Sequence, residues 1–231
     1  PSTVLDLLFN AARGSTPLTI SAAGNLDLAN ADIDVFNNFT GDEDLLIEAG
    51  GNIDLGTADL TYNVATQTDL VTTTIRAGGN ITSSGGNVID VAGVTLIEGD
   101  AVSLSNAGIT VDHLATSGSG LTVNATTGAL DLSQSNLTVA GPTTLSSATT
   151  MNLSSMSLVG NNLGGTSNLS IDSEGNLNMI GTSITTAGSV CWGVRVCVRV
   201  RVRVRVRVRV SMRCVVGTRL QSGIGHTVRL K

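Results

Sequence analysis

Asp27, Asp54 and Asp131 each stand between two apolar residues, in Leu26-Asp-Leu28, Ile53-Asp-Leu55 and Leu130-Asp-Leu132. If these segments stack, the carboxylates form a ladder. Clustered carboxylates holding a metal, or a pair about 5 to 10 Å apart, are what cleavage of a glycosidic bond needs. Such chemistry also needs a cation to clamp the substrate, and before residue 190 there are two, Arg13 and Arg76. An Asp flanked by apolar residues is equally an outward-facing strand position. The expectation is therefore a solvated ladder, with no catalytic residue assigned.

The stretch GDEDLL brings Asp42, Glu43 and Asp44 together, hard oxygen ligands that could hold Ca²⁺. The calcium-binding nonapeptide GGxGxDxUx is not matched, since GGNIDL from Gly50 lacks its second Gly. A solvated acidic turn is expected, and no metal ligand is assigned. His113 has neither Cys nor a second His near it, and reads as a surface residue. No GxSxG elbow occurs. The GNNLGG run from Gly160 is a corner rather than a phosphate loop, because no strand-loop-Lys arrangement follows. Sequons such as those at Asn124 and Asn136 are expected by chance in a chain this rich in Asn, Ser and Thr. No cofactor is implied.

The charge is divided sharply along the chain. All 18 acidic residues precede residue 190, where only Arg13 and Arg76 oppose them, giving −16; the 11 remaining cations follow it. The first piece contains no Lys, Cys or Trp, and its aromatics are Phe9, Phe36, Phe39 and Tyr62. Nucleic-acid binding is opposed by that charge, and sugar binding by ring stacking lacks its rings. Val, Leu and Ile recur throughout, so a core can form. No window of 18 apolar residues encodes a spanning helix. No basic n-region precedes an apolar stretch, and the chain starts at Pro1 in mid-pattern, reading as an excerpt from something longer.

The elements that must position these residues are short strands. Alternation of apolar and small polar residues is pervasive, as in Leu18-Thr-Ile20, Ile33-Asp-Val35, Ile109-Thr-Val111 and Leu137-Thr-Val139. The runs LTISAAGNLDLANADIDV from 18, LLIEAGGNIDLGTADLTY from 45 and TTIRAGGNITSSGGNVIDV from 73 align as strand, Gly-Asn turn, strand, turn, strand, and weaker copies follow from 95, 121, 143 and 168. Anchored at Asn25, the copies recur at 25, 52, 80, 101, 129, 150 and 176. A unit of 21 to 28 residues is too short for a propeller blade and lacks the Leu-x-x-Leu segment of a leucine-rich repeat. An all-β, right-handed parallel β-helix is expected, with three short strands per turn and seven rungs spanning about 34 Å. Its Gly and Asn corners are expected to supply positive φ.

The AGGNI turns, alternating Leu/Ile strands and Ser/Thr/Asn-rich faces resemble filamentous-haemagglutinin-type adhesins over about residues 15 to 190. The resemblance implies a parallel β-helix shaft from a large secreted bacterial protein of the two-partner-secretion or autotransporter kind. It also implies a secretion transporter as partner, a location at the bacterial cell surface or outer membrane, and an unidentified receptor or matrix on a host or neighbouring cell. The family's secretion domain and a translocator barrel are not recognisable here. A structural, adhesive, non-catalytic shaft is the reading. The alternative is a carbohydrate-active, pectate-lyase-like β-helix enzyme.

The domain expectation is a lead-in over 1–14, repeats over 15–190 and a basic tail over 191–231. From Val194 to Val210 the tail alternates Val with Arg, broken once by Cys197. An uninterrupted 17-residue strand is far longer than the usual five or six. Val, Arg and Cys codons all follow from a short GTGCGT-like DNA repeat, so a frame change near Gly188 to Cys191 accounts for the loss of acids and the arrival of Cys together. The competing reading is a selected cationic strand that lies on an anionic membrane. Cys191 and Cys197 would sit about 20 Å apart in one extended strand, too far for a disulfide, and with Cys214 they show no metal-ligand spacing.

Overall fold

In the computed structural model the described residues are 6–10, 18–37, 44–64, 71–112, 119–160, 168–186 and 190–194. They form 23 strands, all paired in parallel, and no helix. β1 (Asp6–Asn10) is followed by seven coils of three strands each. The first coil is β2 (Leu18–Ala22), β3 (Leu26–Asp27) and β4 (Asp32–Asn37), and the second is β5 (Leu45–Ala49), β6 (Ile53–Gly56) and β7 (Asp59–Val64). The third is β8 (Thr72–Ala77), β9 (Ile81–Ser83) and β10 (Val88–Ala92), and the fourth is β11 (Val94–Gly99), β12 (Val102–Ser103) and β13 (Gly108–Asp112). Next come β14 (Gly120–Ala125), β15 (Leu130–Asp131) and β16 (Asn136–Val139), then β17 (Thr143–Ser147), β18 (Met151–Asn152) and β19 (Ser157–Gly160). The seventh is β20 (Leu169–Ser173), β21 (Leu177–Asn178) and β22 (Ser183–Thr186), and β23 (Val190–Val194) begins another.

The strands stack into three sheets, so the chain is a parallel β-helix. Sheet A runs β1-β4-β7-β10-β13-β16-β19-β22, sheet B runs β2-β5-β8-β11-β14-β17-β20-β23, and sheet C runs from β3 to β21. Of the outermost strands, β1 lies before the 15–190 span expected for the repeats, and β23 starts at its last residue and runs four residues past it.

Alternation builds the bore. Every second residue of a strand turns inward, and the register puts like on like. Ile20, Ile47, Ile75, Ile97, Val123, Leu145 and Ile171 form one column of sheet B. Ile33, Leu60, Ile89, Ile109, Leu137, Leu158 and Ile184 form another in sheet A. Sheet C stacks Leu26, Ile53, Ile81, Val102, Leu130, Met151 and Leu177. These positions follow the Asn25-based anchors by one residue, so the seven sequence copies are the seven coils. Each fully buried aliphatic side chain contributes about 1.5–3 kcal/mol, which a two-residue strand could not gain alone.

The three corners differ in what closes them. Between sheets B and C, Asn25 Oδ1 accepts from the Asn52 amide at 2.9 Å, Asn52 Oδ1 from Asn80 at 2.8 Å, and Asn80 Oδ1 from Ala101 at 3.2 Å. This asparagine ladder explains the glycines beside it. A Cβ on Gly51 or Gly79 would collide with the Oδ1 of Asn25 or Asn52. None of these AGGN residues has positive φ, so the expectation of left-handed Gly-Asn corners fails here, and close approach between coils takes its place.

Positive φ belongs to the corner between sheets C and A. There the Ala31 amide donates to Leu28 O at 2.8 Å, with equivalent turns at Leu104–Ala107, Leu132–Ser135, Leu153–Met156 and Met179–Thr182. The third residue of these five turns, Asn30, Asn106, Gln134, Ser155 or Gly181, has φ between 57° and 74°, the signature of a type II turn. The corner between sheets A and B absorbs the variation in repeat length. It holds one residue, Gly93, between β10 and β11, three between β16 and β17, and seven or eight in the longer coils. Gly93 has φ +81° at that one-residue bend.

Candidate functional site

The expected ladder exists, and its carboxylates serve the fold. Asp27 lies beside Asp54 in sheet C, then Thr82, Ser103 and Asp131 follow in the same column. Asp27 Oδ1 accepts from the Ala29 amide at 3.0 Å, Asp54 Oδ1 from Gly56 at 2.9 Å, and Asp131 Oδ1 from Ser133 at 2.9 Å. Each side chain thus bonds the backbone two residues on, the Asx geometry that starts a turn. Asn152 and Asn178, further along the column, bond Ser154 and Ile180 at 3.3 Å in the same way. An amide performs the task as a carboxylate does, so the charge is incidental to it.

Of the acidic stretch at 42–44, Asp44 is described, and its Oδ1 accepts from the Thr72 amide at 2.8 Å, tying one coil to the next. Asp42, Glu43, Arg13, His113, Cys197 and Cys214 lie outside the described residues. Cys191 is in β23, opposite Ser170. Among the described residues no group of three or more His, Cys, Asp or Glu is placed to hold a metal, and no helix is long and apolar enough to cross a membrane.

A different row of functional side chains runs along the outside of sheet B. Register places Ser21, Glu48, Arg76, Glu98, Asn124, Ser146 and Asp172 in one column. They turn outward because each precedes an inward residue at the strand's end: Ala49, Ala77 and Ala125 are buried there. Arg76 Nε pairs with Glu98 Oε1 at 3.1 Å. Asn124 Nδ2 donates to Glu98 Oε2 at 3.0 Å, and Ser146 Oγ donates to Asn124 Oδ1 at 2.8 Å. The polar chain therefore spans four coils. At its upper end Asp172 Oδ1 is shielded from solvent and has no hydrogen-bond partner.

Glu48, Arg76, Glu98 and Asp100 line a groove of about 510 Å³ where sheet B bends into sheet C. Asn124, Ser146, Asp172 and Glu174 line a smaller recess of about 160 Å³ further along the same edge, and Thr126 borders both. The groove is acidic, with one guanidinium set among three carboxylates. Arg76 is 54% exposed, so its ion pair contributes little net stability and mainly fixes where the charges lie. Glu48 and Glu98 are two coils apart, about 10 Å at the backbone.

Asp27, Asp54 and Asp131 are thus turn-formers and Asp44 a tie between coils, whereas Glu48, Glu98 and Asp100 carried no expectation from sequence. A signal for two of them was present. In the aligned copies LLIEAGGN, TTIRAGGN and TLIEGDA, the residue after Ile reads Glu, Arg, Glu. Compared with known family models, curated proteins and solved structures, the chain matches none.

Proposed function

We propose that this chain is a structural shaft segment of a large secreted bacterial surface protein of the filamentous-haemagglutinin-like adhesin kind, which extends and displays binding elements and carries out no catalysis. One observation supports it above others. Polar groups at the corners are used between and within coils: Asn25, Asn52, Asn80 and Asp44 bond the following coil, and Asp27, Asp54 and Asp131 close corners. A solenoid whose polar residues serve continuity is suited to reach. On this reading the partners are an export transporter and a receptor or matrix on another cell.

The test is adhesion by the full chain. Beads coated with it should bind cultured cells or extracellular matrix above beads coated with an unrelated β-helix. Equal retention on both would sink the adhesive part of the reading.

The Glu48-Arg76-Glu98 row favours a second reading, a carbohydrate-active β-helix. Two carboxylates about 10 Å apart flanking a cation are near the spacing used by inverting glycosidases. The Arg76–Glu98 pair at 3.1 Å already engages the cation, which weighs against it. Release of reducing ends from a panel of acidic and neutral polysaccharides, abolished by Glu48→Gln and by Glu98→Gln, would establish the enzyme and displace the shaft.

A further inference from the structure

Coil three departs from the other six at the corner between sheets C and A. From the first residue of the sheet C strand to the first of the sheet A strand, the others count six positions, as in Leu26–Asp32, Ile53–Asp59 and Val102–Gly108, whereas Ile81–Val88 counts seven. The six regular corners each bury an apolar residue, Leu28, Leu55, Leu104, Leu132, Leu153 or Met179, none more than 4% exposed. Each also closes on a bond from an amide to the carbonyl three residues back. Coil three has neither feature. Register slips where β9 lies on β6, Thr82 facing Asp54 and Ser83 facing Gly56, so Leu55 has no counterpart in β9. Residues 83–87 read Ser-Ser-Gly-Gly-Asn, with Gly85 and Gly86 at φ +94° and +80°. Asn87 stands where Ala31, Ala58 and Ala107 precede their strands, and it is 1% exposed. Its Oδ1 accepts from Ser83 Oγ at 2.7 Å, and its Nδ2 is buried without a partner. Thr73 in β8, and Thr95 above it in β11, bring the same fault to sheet B. Among the described residues, three of the four such orphaned atoms thus lie in coil three or on the coil that touches it.

We propose that coil three is a seam at which the stack opens from within, dividing coils one and two from coils four to seven. The inference does not depend on adhesion. It rests on faults that all act in the same direction. The missing leucine removes apolar burial that elsewhere holds each corner to its neighbours. A buried amide or hydroxyl without a partner is penalised in the closed state alone. Adjacent glycines gain more conformational freedom on opening than other residues do. In a stack where each coil touches only its neighbours, such faults are not averaged along the array. Coil three therefore opens at a free energy below that of global unfolding, while the coils above it stay closed. The position is internal, so the loss of a neighbour that loosens the end strands plays no part in it.

The test is native-state hydrogen exchange on the full chain, read peptide by peptide. Amides of β9, its corner and β10 should exchange at least about tenfold faster than those of β12, β13, β15 and β16. The step should also depend less steeply on denaturant than global unfolding does, because it exposes less surface. Replacing residues 83–87 by Leu-Ser-Asn-Ala, the corner of coil four, should bring coil three to the protection of the coil above it. In the reciprocal chain, Ser-Ser-Gly-Gly-Asn replaces residues 132–135 and should create a second fast region at β15 and β16. Circular dichroism verifies that both chains fold. Three results would each overturn the proposal: equal protection of coils three, four and five in the unaltered chain, a replaced corner that exchanges as fast as the original, or a transplanted corner that stays protected.

Discussion

Thr73 and Thr95 sit one above the other in sheet B, both fully buried, and neither hydroxyl has a hydrogen-bond partner. They occupy the column in which Leu45 and Leu121 also face the bore. A buried hydroxyl without a partner costs about 1–3 kcal/mol. Thr73→Val and Thr95→Val should each raise stability by about 1 kcal/mol, read as a higher denaturant midpoint at unchanged slope. At Asp54 the turn bond and the charge can be separated. Asp54→Asn should be neutral or slightly stabilising, since it keeps the acceptor and removes the repulsion from Asp27 directly beside it. Asp54→Ala should cost about 1 kcal/mol, the worth of the lost bond; equal losses for both variants in chemical denaturation would refute the turn role. Sequence alone placed these aspartates outward and in one column. It could not reveal the Asx bond, because that depends on where the backbone bends, and the same Asp-Leu pair suits a straight strand.

At the scale of the element, periodicity carried most of the fold. The alternation fixed which face of each strand is inward, and the spacing of the Gly-Asn turns fixed which copy stacks on which. The corners were less legible. Gly50, Gly51, Gly78 and Gly79 read as left-handed turn residues, yet their reason is the nearness of the preceding coil, a contact about 27 residues away in sequence. Gly93 is the reverse case, a glycine needed for both reasons. A Cβ there would strike the Val71 carbonyl, and its φ is +81°. Gly93→Ala should therefore cost 2 kcal/mol or more, as a forced left-handed residue and a backbone collision combine. Gly24 meets nothing at its Cβ position and lacks positive φ, so Gly24→Ala should be tolerated. Thermal melts of the two variants decide between these accounts. The groove beside Arg76 was hidden for a related reason. Glu48 and Arg76 lie 28 residues apart and Arg76 and Glu98 22, and they become neighbours only once the register is known.

For the whole molecule, a stack in which each coil touches only its neighbours should behave as a one-dimensional array. Stability is then lowest where a neighbour is missing. Native-state hydrogen exchange should show the amides of β2 and β3 opening most readily, and those of β11 through β17 protected close to the global limit. Uniform protection along the stack would mean that the coils unfold as one unit. One architectural detail also bears on how such a molecule changes over generations. Six of the seven corners between sheets C and A hold four residues and the other two, and those between sheets B and C hold two to four, whereas the corner between sheets A and B varies from one to eight. Insertions and deletions entering at that last edge leave both ladders in step, so a lineage can gain or lose segments there without re-indexing the coils. The same edge is where novelty can accumulate at the least risk to the rod.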